Sequence, residues 1–98
     1  MKKFLLVSLL VFSFATLSAG SMMKFQDARN YCSDLGGRLP TVNEVIAGAN
    51  TNKMRNQPCK TADYITVDGS HVYVTSTCEV MSTGRARSYE VYDVLCVK

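Results

Sequence analysis

The chain contains no tryptophan, a single histidine (His71), two prolines and no Cys-x-x-Cys pair. These absences exclude whole classes of chemistry. A structural zinc site needs four ligands at close spacings, and one imidazole beside four scattered cysteines does not supply them, so neither metal nor cofactor is expected. No Gly-x-Ser-x-Gly segment is present to carry a hydrolase nucleophile. Charge of one sign is lacking as well. Setting aside Lys2 and Lys3 of the leader described below, 11 − 2 = 9 Lys and Arg stand against 8 Asp and Glu. Such a balance makes no field that would gather nucleic acid or an anionic membrane.

What is present starts with MKKFLLVSLLVFSFATLSAG: two lysines, an apolar run from Phe4 to Leu17, then small residues. This is the pattern of a secretory signal peptide, with an apolar run shorter than the ~20 residues of a transmembrane helix. Ser18 and Gly20 occupy the two specificity positions for cleavage after Gly20, and Ser21 stands where a lipoprotein would need cysteine. The expected mature chain is therefore one domain, residues 21–98, of 98 − 20 = 78 residues, periplasmic or secreted and not inserted in a membrane. A core of that size stabilises by only a few kcal/mol and leans on staples. Cys32, Cys59, Cys78 and Cys96 all follow the leader, and an even number in an exported chain reads as two disulfides with three possible connectivities.

Phe25, Ala28, Cys32 and Leu35 recur at helical spacing, and Gly36-Gly37 ends that helix. Pro40 holds the residue before it extended. Thr41 and Glu44 form a capping-box pair opening a second helix with Val42, Val45, Ile46 and Ala49 on one face and Leu39 as a hydrophobic staple. Gly48 and the polar run after it predict early fraying, and residues 50–60 a surface loop pinned by Cys59. The period then changes to two. Residues 64–67, 71–80 and 88–97 read as strands, with turns at Asp68-Gly69 and Ser82-Thr83-Gly84. Helices followed by strands give an α+β domain: two short helices packed on a small antiparallel sheet. The last strand is apolar on both faces, which requires either cover on both sides or a bulge.

Candidate binding residues are few. Arg85 and Arg87, on the turn expected after Gly84, make the densest positive spot and could grip carboxylate or phosphate. Lys53, Arg55 and Asn56 in the polar loop could extend it. Tyr73 shares its strand face with His71, Thr75 and Thr77, and strand tyrosines serve both packing and recognition. The plainer reading of His71 is an exposed polar residue at the start of a strand. Asp27 with Asp34, and Glu79 with Glu90 and Asp93, read as solvated positions rather than catalytic carboxylate pairs, so no catalytic residue is assigned.

The run Ala28-Arg29-Asn30-Tyr31-Cys32, then Leu35-Gly36-Gly37-Arg38-Leu39-Pro40-Thr41 with Glu44, closing on Leu95-Cys96-Val97-Lys98, resembles the C-type lectin-like fold. It is similar to the bacterial versions: the terminal adhesive domain of intimin and invasin proteins and the Lcl-type C-terminal domains, much shortened. The resemblance implies that Cys32 pairs with Cys96 and Cys59 with Cys78. It does not bring calcium with it. Gln57-Pro58 is followed by Cys59 where the calcium site of the sugar-binding members has a carboxylate or amide, and tryptophan is absent. The expected function is a non-enzymatic, adhesin-like binding module for a protein or glycan surface. The alternative is a small exported inhibitor or effector that plugs an envelope enzyme with the Arg85 turn or the loop over 53–60.

Overall fold

The computed structural model describes residues 18–98. The leader expected over residues 1–20 lies outside the described residues as far as Leu17, and its last three residues belong to the first strand. The elements run β1 (Ser18–Met23), α1 (Phe25–Asp34), α2 (Val42–Met54), β2 (Ala62–Ile65), β3 (Ser70–Val74), β4 (Val80–Arg85) and β5 (Tyr92–Cys96). The domain is α+β, with one five-stranded sheet in the order β1-β5-β2-β3-β4.

Both helices end as their sequences require. In α1 the amide of Gly36 donates to Ser33 O (2.9 Å) and that of Gly37 to Cys32 O (2.9 Å), a Schellman closure that needs the positive φ of +80° at Gly36. The chain then runs extended through Arg38, Leu39 and Pro40 around the end of the sheet. Arg38 exchanges backbone hydrogen bonds with Val97, both 2.8 Å, and Pro40 O accepts from the Val67 amide at 2.8 Å. Thr41 and Glu44 form the expected capping box. Helix α2, however, continues to Met54 instead of fraying after Gly48. The polar run stays helical because it faces solvent and is tied down. Thr51 Oγ1 donates to Ala47 O, Asn52 Nδ2 to Pro58 O, and Lys53 Nζ meets Glu79 Oε2 at 2.8 Å. Asn56, at φ +57°, supplies the left-handed closing residue that glycine supplies in α1.

The sheet departs from an antiparallel meander. β5 lies antiparallel to β1 and parallel to β2, so the sheet is mixed. The chain leaves the edge strand β4, crosses back through residues 86–91 and inserts β5 between β1 and β2. A strand apolar on both faces belongs at an interior position with cover on each side. Tyr92, Val94 and Cys96 turn to one face and join Ala28, Cys32, Leu39 and Ile65. On the other face Val72 and Val74 pack with Val45, Ala49 and Cys78. Helix α1 thus covers one face of the sheet and α2 the other, with Leu39 in the α1-side core rather than stapled onto α2. The expected second strand over 71–80 is also divided. Thr75–Glu79 forms the β3–β4 connection, with Cys78 at φ +67°, while Ser82–Gly84 lies inside β4 rather than in a turn.

Disulfides Cys32–Cys96 and Cys59–Cys78 join elements 64 and 19 residues apart in sequence. The first links α1 to β5 through the α1-side core, and the second links the segment after α2 to the β3–β4 connection. β1 pairs Ser18 with Cys96, Ala19 with Leu95 and Gly20 with Val94. Cleavage after Gly20 would therefore strip those three β5 residues of their outer partners.

Loop closure gives the longer bridge ~4 kcal/mol and the shorter ~3 kcal/mol. Urea unfolding of the double alanine variants should show Cys32→Ala/Cys96→Ala as the costlier pair; the reverse order would show that α1 does not depend on its link to β5. The Glu44 carboxyl is held down from 4.5 to about 2, first by its hydrogen bond from Arg38 and then by the Thr41 amide. A depressed folded pKa means stability that is present above about 4.5 and lost as the pH falls toward 2. Glu44→Gln should lower neutral-pH stability by about 0.5–1 kcal/mol, a figure discounted for the exposure of the pair, and flatten the melting temperature against pH across that window.

Candidate functional site

On the α1 face, α1 covers β5 and the Ile65 end of β2, leaving the outer part of β2, β3 and β4 open. Residues opposed on neighbouring strands share a face. The pairs Ile65↔His71, Asp63↔Tyr73, His71↔Gly84 and Tyr73↔Ser82 therefore bring Asp63, His71, Tyr73, Ser82 and Gly84 to this one surface. His71 Nδ1 and Asp63 Oδ1 are 2.8 Å apart, with side chains 24% and 33% exposed. A carboxylate can only accept, so Nδ1 carries a proton toward Asp63, and in the neutral ring that leaves Nε2 as the acceptor. The ring is steadied from the core side by Tyr92, whose centroid is 5.1 Å away. A Cβ on Gly84 would stand 3.7 Å from Nε2, so glycine at this β4 position leaves that nitrogen open.

The connection into β5 frames the same surface. The Tyr92 hydroxyl donates to Glu90 Oε1 (3.0 Å) and accepts from the Arg87 amide (3.0 Å), which locks residues 87–92 into one shape. Burial, the largest cause, and the bond to Glu90 push the Tyr92 pKa up, so its phenol remains a donor at neutral pH. Arg87 Nη1 reaches the hydroxyl of Tyr89, which is 66% exposed. At the base of the β2–β3 turn, Thr66, fully buried, bonds both Asp68 and Ser70. That turn uses Gly69 at φ +86°, as the Asp-Gly dipeptide predicts.

Of the expected binding residues, His71, Tyr73 and Arg87 belong to this surface. Arg85 does not. It closes β4 opposite Ser70, and strand alternation sends its side chain to the face away from Gly84 and His71. The pair therefore does not share a hairpin tip. Lys53 and Asn56 form a separate group, lining a depression of about 360 Å³ with Gln57, Pro58, Ser76 and Thr77. There Lys53 is ion-paired with Glu79 and Asn56 is used to end α2; Arg55 caps the same helix. Asp63, Tyr89 and Glu90 complete the surface without having been singled out as binding residues. Asp63 was within reach, since counting back by two from Ile65 places a carboxylate beside the His71 strand.

Chemically the surface offers a fixed acceptor at Nε2, a carboxylate, two tyrosines and a guanidinium. A histidine oriented by aspartate is also half of a general-base dyad, but among the described residues no hydroxyl or thiol is hydrogen-bonded to Nε2. No group of three or more His, Cys, Asp or Glu side chains among the described residues is arranged to hold a metal ion. No helix of the described residues is long and apolar enough to cross a membrane. Comparison of the chain with protein-family models, curated proteins and solved structures finds no match.

The Asp63 contact predicts a specific imidazole state. Nitrogen-15 NMR at neutral pH should show His71 predominantly protonated at Nδ1, and Asp63→Ala should shift it toward the Nε2-protonated tautomer. An unchanged tautomer ratio would mean that the carboxylate does not orient the ring.

Proposed function

We propose that this chain is an exported, non-enzymatic binding module that recognises a protein or glycan surface without calcium, using the α1-face surface of Asp63, His71, Tyr73, Arg87 and Tyr89. The observation that carries this reading is the Asp63–His71 contact beside Gly84. An oriented acceptor, flanked by partly exposed tyrosines on rigid strands, suits hydroxyl and amide donors on a partner better than it suits turnover. A C-type lectin-like ancestry is part of the proposal. It is supported by the order of helix, glycine break and capped helix, and by disulfides that pair as the resemblance implies. The inhibitor reading has less behind it, because Lys53 is neutralised by Glu79 and Arg85 lies within a strand instead of on a projecting tip.

The test is retention of the oxidised domain on immobilised envelope glycans and envelope proteins, with and without a calcium chelator. Retention should survive the chelator and fall about tenfold for His71→Ala and for Tyr73→Ala, the size of one lost anchor. Gly84→Val, which covers Nε2 without requiring an unusual backbone, should act like His71→Ala. Retention that the chelator abolishes, or that all three variants leave intact, would overturn the proposal.

A further inference from the structure

The opposite face of the sheet carries a trough. Helix α2 packs over β3, and among the described residues no element packs on β5 on that side beyond its reach. Between the helix wall and the sheet lies a trough of about 250 Å³, its floor and apolar sides made by Val45, Ala49, Tyr64, Val74 and Leu95. The helix wall is indented at Gly48, where an added Cβ would meet nothing within 4 Å. Without that side chain the trough stays open along the helix.

The polar groups around it are unequal. Glu44 is fully engaged: Arg38 holds both its oxygens, at 2.7 and 2.9 Å, and the Thr41 amide donates to it at 2.8 Å. Asn52 gives its amide hydrogen to Pro58 O. Asp93 on the neighbouring strand accepts from the Asp63 amide at 2.8 Å. Lys60 lines the trough with no ion pair among the described residues, and no hydrogen bond engages the Tyr64 hydroxyl among them. Burial, and after it Asp93, pushes the Tyr64 pKa up, which keeps the phenol a donor. What remains unsatisfied is thus one cation and one hydroxyl at the rim of an apolar trough; Glu44 is paired with Arg38, while Asp93, bound by one amide, keeps its charge near Tyr64 and leaves Lys60 as the main anchor for an anion. The complement is an apolar body with an anionic end.

We propose that this trough binds a small aromatic carboxylate, with its ring against Val45, Ala49, Val74 and Leu95 and its carboxylate on Lys60 and the Tyr64 hydroxyl. The site is independent of the α1-face surface, since Tyr64 and Asp63 point to opposite sides of β2.

The probe is 2-naphthoate, titrated into the nitrogen-15-labelled oxidised protein, with 2-naphthalenemethanol as its uncharged counterpart. Naphthoate should shift amides over residues 44–52 and 59–64 and at Val74 and Leu95, with an affinity on the order of 0.1–1 mM for a ligand this small. The alcohol should bind at least fivefold more weakly. Lys60→Gln, at an exposed position, should remove that preference while leaving the fold intact, and Gly48→Leu should fill the trough and abolish the shifts. The proposal is overturned if the alcohol binds as well as the acid, if Gly48→Leu binds like the unaltered protein, if shifts centre on His71 and Tyr73, or if 10 mM naphthoate, about tenfold above the weaker expected affinity, shifts nothing.

Discussion

Everything in this domain depends on α1 being held against β5, and the Cys32–Cys96 bond is what fixes it in place. Cys32 and Cys96 are both fully buried, at the meeting of α1 with β5, an interior strand of the sheet. With α1 locked there, the chain can reach the other face only by rounding the end of the sheet. Arg38, Leu39 and Pro40 do this in three extended residues, held by the Arg38–Val97 exchange and the Pro40–Val67 bond. The glycine closure of α1 and the capping box of α2 are the two ends of that passage. A loss at either end therefore acts on the same linkage as a loss of the disulfide, and such losses should not be additive.

Where the sequence was legible, the reason was local. Helix stops and starts are written in side chains that act on their own backbone: Gly36 takes a conformation other residues resist, Thr41 and Glu44 satisfy each other's amides, and Asp68-Gly69 makes its own turn. The errors arose where tertiary contacts overrode such signals. The residues after Gly48 look like a loop by composition, yet Lys53 is anchored by Glu79, a residue 26 positions away. Ser82-Thr83-Gly84 looks like a turn, yet pairing with β3 draws it into a strand. The true turn contains Cys78 in a left-handed conformation, which no propensity anticipates. It accompanies a disulfide to Cys59 and a Cys78 amide bond to Thr75 O.

The candidate surface was half legible for the same reason. Period two placed Tyr73 with His71 on one face of a strand, and that pairing is a backbone rule. Which carboxylate would stand next to His71 depended on strand order and register, and these are set by the insertion of β5 and by which side each helix covers. Arg85 and Arg87 seemed a unit because they are close in sequence. They are separated by the end of β4, after which Arg87 joins the segment organised by the Tyr92 hydroxyl.

The division of labour across the sheet has a consequence for how this domain tolerates change. Asp63, His71 and Tyr73 belong to neither buried cluster, yet they sit on strands whose alternate residues do: Val72 and Val74 are in one cluster and Tyr64 packs against it. Substituting one of them leaves both clusters intact, so the stability cost should stay near the ~1 kcal/mol of an ordinary point change, while the loss in recognition can be larger. The disulfide, the sheet-end passage and the apolar alternates hold the backbone of this face still independently of the side chains it displays. A module built this way can exchange one ligand for another by altering three or four positions of period two, without reworking the core that keeps them in register.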